Sequence, residues 1–222
     1  SDLYSVIIQA KKYLKNIAII ETNAKELSPS DDDLEKIISS EKQVTEILKT
    51  VTETVELGEL KPYKIEKIHS TDSDESNSRV ILCFSSAKFE RMLYFLDNKQ
   101  YDKILIINPI SKDNRSKLAR LSSQVIQDKY SSLETEIINI DIDNQNQIMH
   151  TMTMLYQKYY LQEGCNFDIV LTGSKLQTVC AGIFTCFNKI NNCWYISPQA
   201  WKSNSFSSGY RDTFIYLLKR NV

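Results

Sequence analysis

The residues of this chain that could do chemistry gather in short polar segments, each following an apolar run of strand length. The sharpest is Thr172-Gly173-Ser174-Lys175-Leu176-Gln177, directly after Phe167-Asp168-Ile169-Val170-Leu171. Only five glycines occur in 222 residues, so one placed at a strand end points to a close backbone approach or a positive φ. The Thr172 and Ser174 hydroxyls, the free N–H groups of a helix starting there and the Lys175 ammonium would together hold a phosphate or another anion, with Gln177 in the first turn. The same residues also read as a capped helix start with a glycine turn and a solvated lysine. Two further segments, Ser85-Ser86-Ala87-Lys88 and Asn108 to Arg115, also follow apolar runs. They add Ser85, Ser86, Lys88, Asn114 and Arg115 as candidate ligand contacts, against a plain reading as cap and loop residues.

A catalytic device is harder to assemble, and no catalytic residue is assigned. The GxGxxG and GxxxxGK[ST] fingerprints are absent, so neither dinucleotide binding nor phosphate-loop hydrolysis is supported. His69 falls near an acidic linker and His150 within a helix, neither beside a nucleophile and an orienting carboxylate. Asp141 and Asp143 could act as acid and base or hold a divalent cation, but they also read as turn and cap residues. The five cysteines, Cys83, Cys165, Cys180, Cys186 and Cys193, are odd in number, lack a CxxC pair and fall mostly in apolar runs. Core packing in a reducing cytosol fits them better than a zinc site or disulfides, and neither metal nor cofactor is expected. The segment 201–211, rich in serine and aromatics, could close over a site as a lid, with Tyr210 and Arg211 as its contacts, or be an ordinary surface loop.

The elements that would position these residues alternate regularly. Apolar runs at Val80 to Phe84, Lys103 to Asn108, Glu136 to Ile140, Phe167 to Leu171 and Cys193 to Ile196 read as strands buried on both faces. Helical spacing fills the gaps at 87–96, 115–130, 145–161 and 176–187, the third ended by Gly164. Crossovers of helix length force parallel pairing, so the expected fold is a Rossmann-like doubly wound α/β sheet of order 3-2-1-4-5. Ligands of such sheets bind at the strand carboxyl ends, where the order reverses, which brings the Ser85 and Gly173 turns face to face.

Before this domain, 3–14 reads as an amphipathic helix and Ile17 to Ile20 as a short buried strand. A long helix from Ser28-Pro29-Ser30 runs to about Val55, and Tyr63 to Ile68 alternates like an edge strand. The acidic linker Ser70 to Ser78 sets a boundary between an N-terminal extension, 1–78, and the Rossmann-like domain, 79–222. The run Thr213 to Leu218 is expected as a C-terminal edge strand.

The turn Asp168-Ile169-Val170-Leu171-Thr172-Gly173-Ser174-Lys175, together with a serine-containing turn after the first strand, resembles the CRISPR-associated Rossmann fold (CARF) sensors of antiphage defence. The family's turn usually reads Thr-Gly-Gly-Thr-Lys; here it is one residue shorter, with a single glycine. The resemblance spans 79–197. It implies a pocket for cyclic oligoadenylate at a dimer interface, lined by these two turns.

Lys+Arg 27 against Asp+Glu 28 leaves a net charge of -1, which gives no global drive toward DNA, RNA or an anionic membrane. No apolar stretch approaches the ~20 residues that span a bilayer, and Ser1-Asp2-Leu3-Tyr4 lacks the marks of a signal peptide, so a cytoplasmic protein is expected. The start without Met leaves room for an upstream domain. The leading expectation is a non-catalytic sensor binding a nucleotide-like, phosphorylated ligand, as a homodimer or with a partner domain or subunit. The alternatives are a nucleotide-processing hydrolase using the same pocket and a protein-interaction domain of a larger defence assembly.

Overall fold

A computed structural model describes every residue apart from 1, 14–15, 23, 25, 28–29, 41–42, 55–58, 202–206, 211 and 220–222. Its centre is a six-stranded sheet of order β3-β8-β7-β4-β5-β6. The strands are β3 (Glu59–Ser70), β4 (Arg79–Phe84), β5 (Lys103–Pro109), β6 (Glu134–Ile140), β7 (Asn166–Leu171) and β8 (Asn192–Trp201). The five strands β6-β5-β4-β7-β8 are mutually parallel. The order of the whole sheet differs from the five-stranded expectation because β3 adds itself antiparallel to β8 at the edge. Pro62 is tolerated there because the ladder shifts register between Leu60 and Tyr63, and an edge strand can spare the lost N–H.

Side-chain alternation divides two cores. Val80, Leu82 and Phe84 of β4 face a layer formed by α6 (Gln145–Tyr156), α7 (Lys175–Phe187) and α1 (Asp2–Tyr13). Ile81 and Cys83 face α4 (Phe89–Asn98) and α5 (Asn114–Lys129) on the other side. Helices thus cover both faces, which is why these strands read as unbroken apolar runs. Tyr4 anchors α1 by burying its ring and donating to Thr185 Oγ1 at 3.0 Å. The helices meet closely where a Cβ on Gly182 would lie 3.2 Å from Ile7.

Four expectations need correction. The long N-terminal helix is two, α2 (Asp31–Ile38) and α3 (Val44–Thr54). Ser30 caps α2 by accepting from the Asp33 N–H, and α2 ends where Ser39 Oγ donates to Glu35 O and Ser40 Oγ to Ile37 O. Serine hydroxyls that satisfy helical carbonyls in this way compete with continuation of the helix, and the break lets Leu34, Ile47 and Leu48 all pack on Leu118 of α5. The helix expected over 145–161 leaves α-geometry at Tyr156 and continues as a π-turn, Gln157–Gln162, before Gly164 at φ 72°. The strand expected as buried at Ile17 to Ile20 is β1 (Asn16–Thr22), in which Ile20 is 68% exposed. The C-terminal run, β10 (Thr213–Lys219), is not an edge of the main sheet but pairs antiparallel with β1 as a separate ribbon. A second short ribbon joins β2 (Glu26–Leu27) to β9 (Ser207–Ser208).

No helix among the described residues is long and apolar enough to cross a membrane. Cys83, Cys165, Cys180 and Cys193 are buried and Cys186 half-buried, all as free thiols. Burial pushes the Cys180 and Cys193 thiols up to about 12.

Candidate ligand site at the strand switch point

From β4 the chain proceeds outward to β5 and β6, crosses back through α6, and lays β7 and β8 on the other side of β4. The order therefore reverses between β4 and β7, and the turns that leave their carboxyl ends are neighbours. Thr172 fastens them together. Its hydroxyl donates to Phe84 O at 2.6 Å and accepts from Phe84 N–H at 3.2 Å. The single hydroxyl proton, given to Phe84 O, holds the two strand ends in register instead of being free to donate to an anion.

Gly173 serves close approach, not positive φ. A Cβ there would fall 1.9 Å from Gln177 Oε1 and 2.7 Å from Phe84 Cβ, while positive φ is confined among the described glycines to Gly164 and Gly209. The space left by the missing Cβ admits the Gln177 side chain. Its Oε1 accepts from Ser174 N–H at 2.6 Å, and Ser174 Oγ accepts from Gln177 N–H at 3.3 Å. This reciprocal capping box starts α7, with Lys175 exposed in its first turn.

Two polar groups at this junction are left over. Ser85 is 6% exposed; its N–H donates to Ile107 O at 3.0 Å, but its Oγ has no partner among the described residues. Gln177 is 1% exposed, and its Nε2 is likewise without a partner among them. Each buried unsatisfied group costs about 1–3 kcal/mol, so two beside one strand end form a local excess of unused hydrogen-bonding capacity. Ser86 and Lys88 complete this rim. Ser86 Oγ accepts from Lys88 N–H at 3.2 Å, and Ser86 O accepts from Ser122 Oγ of α5 at 2.9 Å.

The remaining candidates lie on α5, in the turn after β6 and between β9 and β10. Asn114 is buried and already used: Nδ2 donates to Asp31 O at 3.1 Å, and Oδ1 accepts from Lys117 Nζ. It ties α5 to α2. Arg115 is half-buried; burial lowers its pKa, and the Asp31 and Asp113 carboxylates oppose that shift. Tyr210 is 80% exposed between β9 and β10, and Arg211 lies outside the described residues. Asp141 and Asp143 form a turn, with Asp143 N–H donating to Asp141 Oδ1 at 3.0 Å. Burial raises the Asp143 carboxyl, and Asp141 and Asp113 push it further up. Among the described residues no group of three or more His, Cys, Asp or Glu is placed to hold a metal ion.

At the opposite, amino end of the sheet lies a polar centre that motif reading passes over. Asp168 is fully buried in β7 and accepts from Tyr101 OH at 2.8 Å, Asn192 Nδ2 at 3.0 Å, Trp194 Nε1 at 3.2 Å and Arg79 Nη2 at 3.3 Å. The available signal was a single carboxylate inside an otherwise apolar strand, which needs partners from neighbouring elements. Above it a cleft of about 350 Å³ opens between the loops 75–79 and 100–102.

Compared with known protein families the chain matches no family model, and a search of curated proteins finds no match.

Proposed function

We propose that the chain is a non-catalytic binding module that takes a nucleotide-like, phosphorylated ligand at the switch point between β4 and β7. One observation carries this reading: Ser85 Oγ and Gln177 Nε2 are buried at the β4–α7 junction without partners among the described residues. Folded chains rarely leave such groups unmatched, and each is a donor that a ligand oxygen would satisfy. The N-terminal end of α7 and the exposed Lys175 supply the positive potential that favours a phosphate there. A binding role is also favoured over hydrolysis by the histidines, since His150 is exposed on α6 and His69 sits on β3 at the edge. The likeness of the two turns to CARF sensors points the same way. It extends the proposal to a cytoplasmic sensor in antiphage defence, working as a homodimer or with a partner subunit.

Thermal denaturation against a panel of nucleotides and cyclic oligonucleotides tests the reading. A ligand at 100 times its Kd adds about 2.7 kcal/mol of stability, which for a chain of this size raises Tm by ~5–10 °C. Ser85→Ala removes an orphaned hydroxyl, so the free protein should melt at the same temperature or higher, while the ligand-induced rise falls. Lys175→Ala should reduce the rise as well. No rise with any member of the panel, or a rise untouched by Ser85→Ala, would refute the proposal; consumption of the ligand seen by chromatography would favour the hydrolase.

A further inference from the structure

The cleft at the amino end of the sheet carries charges of both signs whose hydrogen-bonding capacity is only partly used. Its walls are Glu75, Ser76, Asn77, Ser78, Arg79, Gln100, Tyr101 and Asp102, and its volume of about 350 Å³ lies within the range of small-molecule sites. Arg79 sits 4.9 Å above the Tyr101 ring and gives one nitrogen, Nη2, to Asp168. Asp168 is the guanidinium's one hydrogen-bond partner among the described residues, so four of its five N–H donors, one on Nη2 and those on Nη1 and Nε, are still to be used. The guanidinium is thus held in place on both sides, by a ring and by a buried carboxylate, with its remaining donors unspent.

Beside it, Asp102 accepts from the Arg79 N–H through Oδ2 at 2.8 Å. Its Oδ1 has no partner among the described residues, and neither has the Glu75 carboxylate. The pairing of Arg79 with Asp168 cancels one positive and one negative charge, which leaves the two cleft carboxylates uncompensated. A simple anion would meet them unfavourably, and a simple cation would leave the guanidinium donors unmatched. A ligand with both charges a few ångströms apart gives the guanidinium donors an acceptor and the cleft carboxylates a donor.

We propose that this cleft binds a small zwitterion of the α-amino-acid class, its carboxylate on Arg79 and its ammonium on Asp102 and Glu75. The site is independent of the switch point, since it lies at the other end of the same strands. Tyr101 and Asp168 act as positioning residues that hold the guanidinium, and Trp194, which shares Asp168 with Arg79, reports on the site.

The experiment is a titration of the full chain, followed by backbone amide NMR shifts, with L-serine, its methyl ester and N-acetyl-L-serine as probes. L-serine should shift the amides of Ser78, Arg79, Tyr101 and Asp102 saturably and leave Ser85 and Gly173 unmoved, and neither derivative should match it. Asp102→Asn keeps an oxygen to accept the Arg79 N–H but removes the charge, so it should weaken L-serine binding about tenfold with Trp194 emission unchanged. Equal binding of the ester would overturn the carboxylate contact to Arg79. Equal binding of the N-acetyl derivative would overturn the ammonium contact, and no saturable shift in the cleft would overturn the site itself.

Discussion

Gly173→Ala puts the geometry of the switch point under direct stress. The added methyl would arrive 1.9 Å from Gln177 Oε1 and 2.7 Å from Phe84 Cβ. The first neighbour is the end of a side chain and can swing away, but doing so breaks its 2.6 Å bond from the Ser174 N–H and undoes half of the capping box. The second is fixed, because Phe84 is buried and its backbone is bonded on both sides by Thr172. Overpacking costs about 1–3 kcal/mol and a lost cap about 1 kcal/mol, so the variant should lose about 3 kcal/mol. For a chain of this size that lowers Tm by ~6–12 °C, measurable by circular dichroism. Gly164→Ala is the internal reference: at φ 72° with nothing within 4 Å, it carries only left-handed backbone strain of ~1–2 kcal/mol. Combining Gly173→Ala with Gln177→Ala removes the closest clash and should cost less than the two changes summed. A Gly173→Ala protein melting within ~1 °C of the parent, or strict additivity with Gln177→Ala, would refute the account.

Three other outcomes follow from the same structure. Asp168→Asn replaces a buried acceptor of four donors with a group that itself donates; discounting for the partial exposure of Arg79, it should cost about 3 kcal/mol in urea denaturation, and a loss under ~1 kcal/mol would contradict the hub. Thr172→Val keeps the shape but strands Phe84 N–H and C=O, so the same assay should show a loss of about 2 kcal/mol. Around Glu136, burial pushes the carboxyl up, but hydrogen bonds from Tyr159 and Lys158 outweigh it and leave the pKa below the usual range. A depressed folded-state pKa contributes stability that is present above the unfolded value near ~4.3 and lost as pH falls through the folded one. Tyr159→Phe should therefore destabilise the protein more at neutral pH than at pH ~3, and an equal loss at both would dismiss the coupling.

The amino-acid sequence by itself determined the α/β architecture. Strands in a sheet covered by helices on both faces read as largely apolar runs, so Val80 to Phe84 and its four counterparts declared themselves without reference to one another. Local chemistry was legible too, as in the Ser174 to Gln177 cap, because its partners are three residues apart. What needed tertiary structure was every decision between distant residues. The alternation of Tyr63 to Ile68 and the β-branched and aromatic run Thr213 to Leu218 each mark an edge strand; only long-range pairing sends β3 to β8 and β10 to β1. The same holds for the site. A serine or threonine at a strand end looks alike whether its hydroxyl is consumed, as in Thr172 with Phe84, or left over, as in Ser85. That distinction rests on which atoms come within 3.5 Å across the sheet, and sequence spacing carries no record of it. At the amino end the separation was complete: Arg79, Tyr101, Asp168, Asn192 and Trp194 belong to four stretches of chain, and only the folding of the sheet turns them into one charged centre.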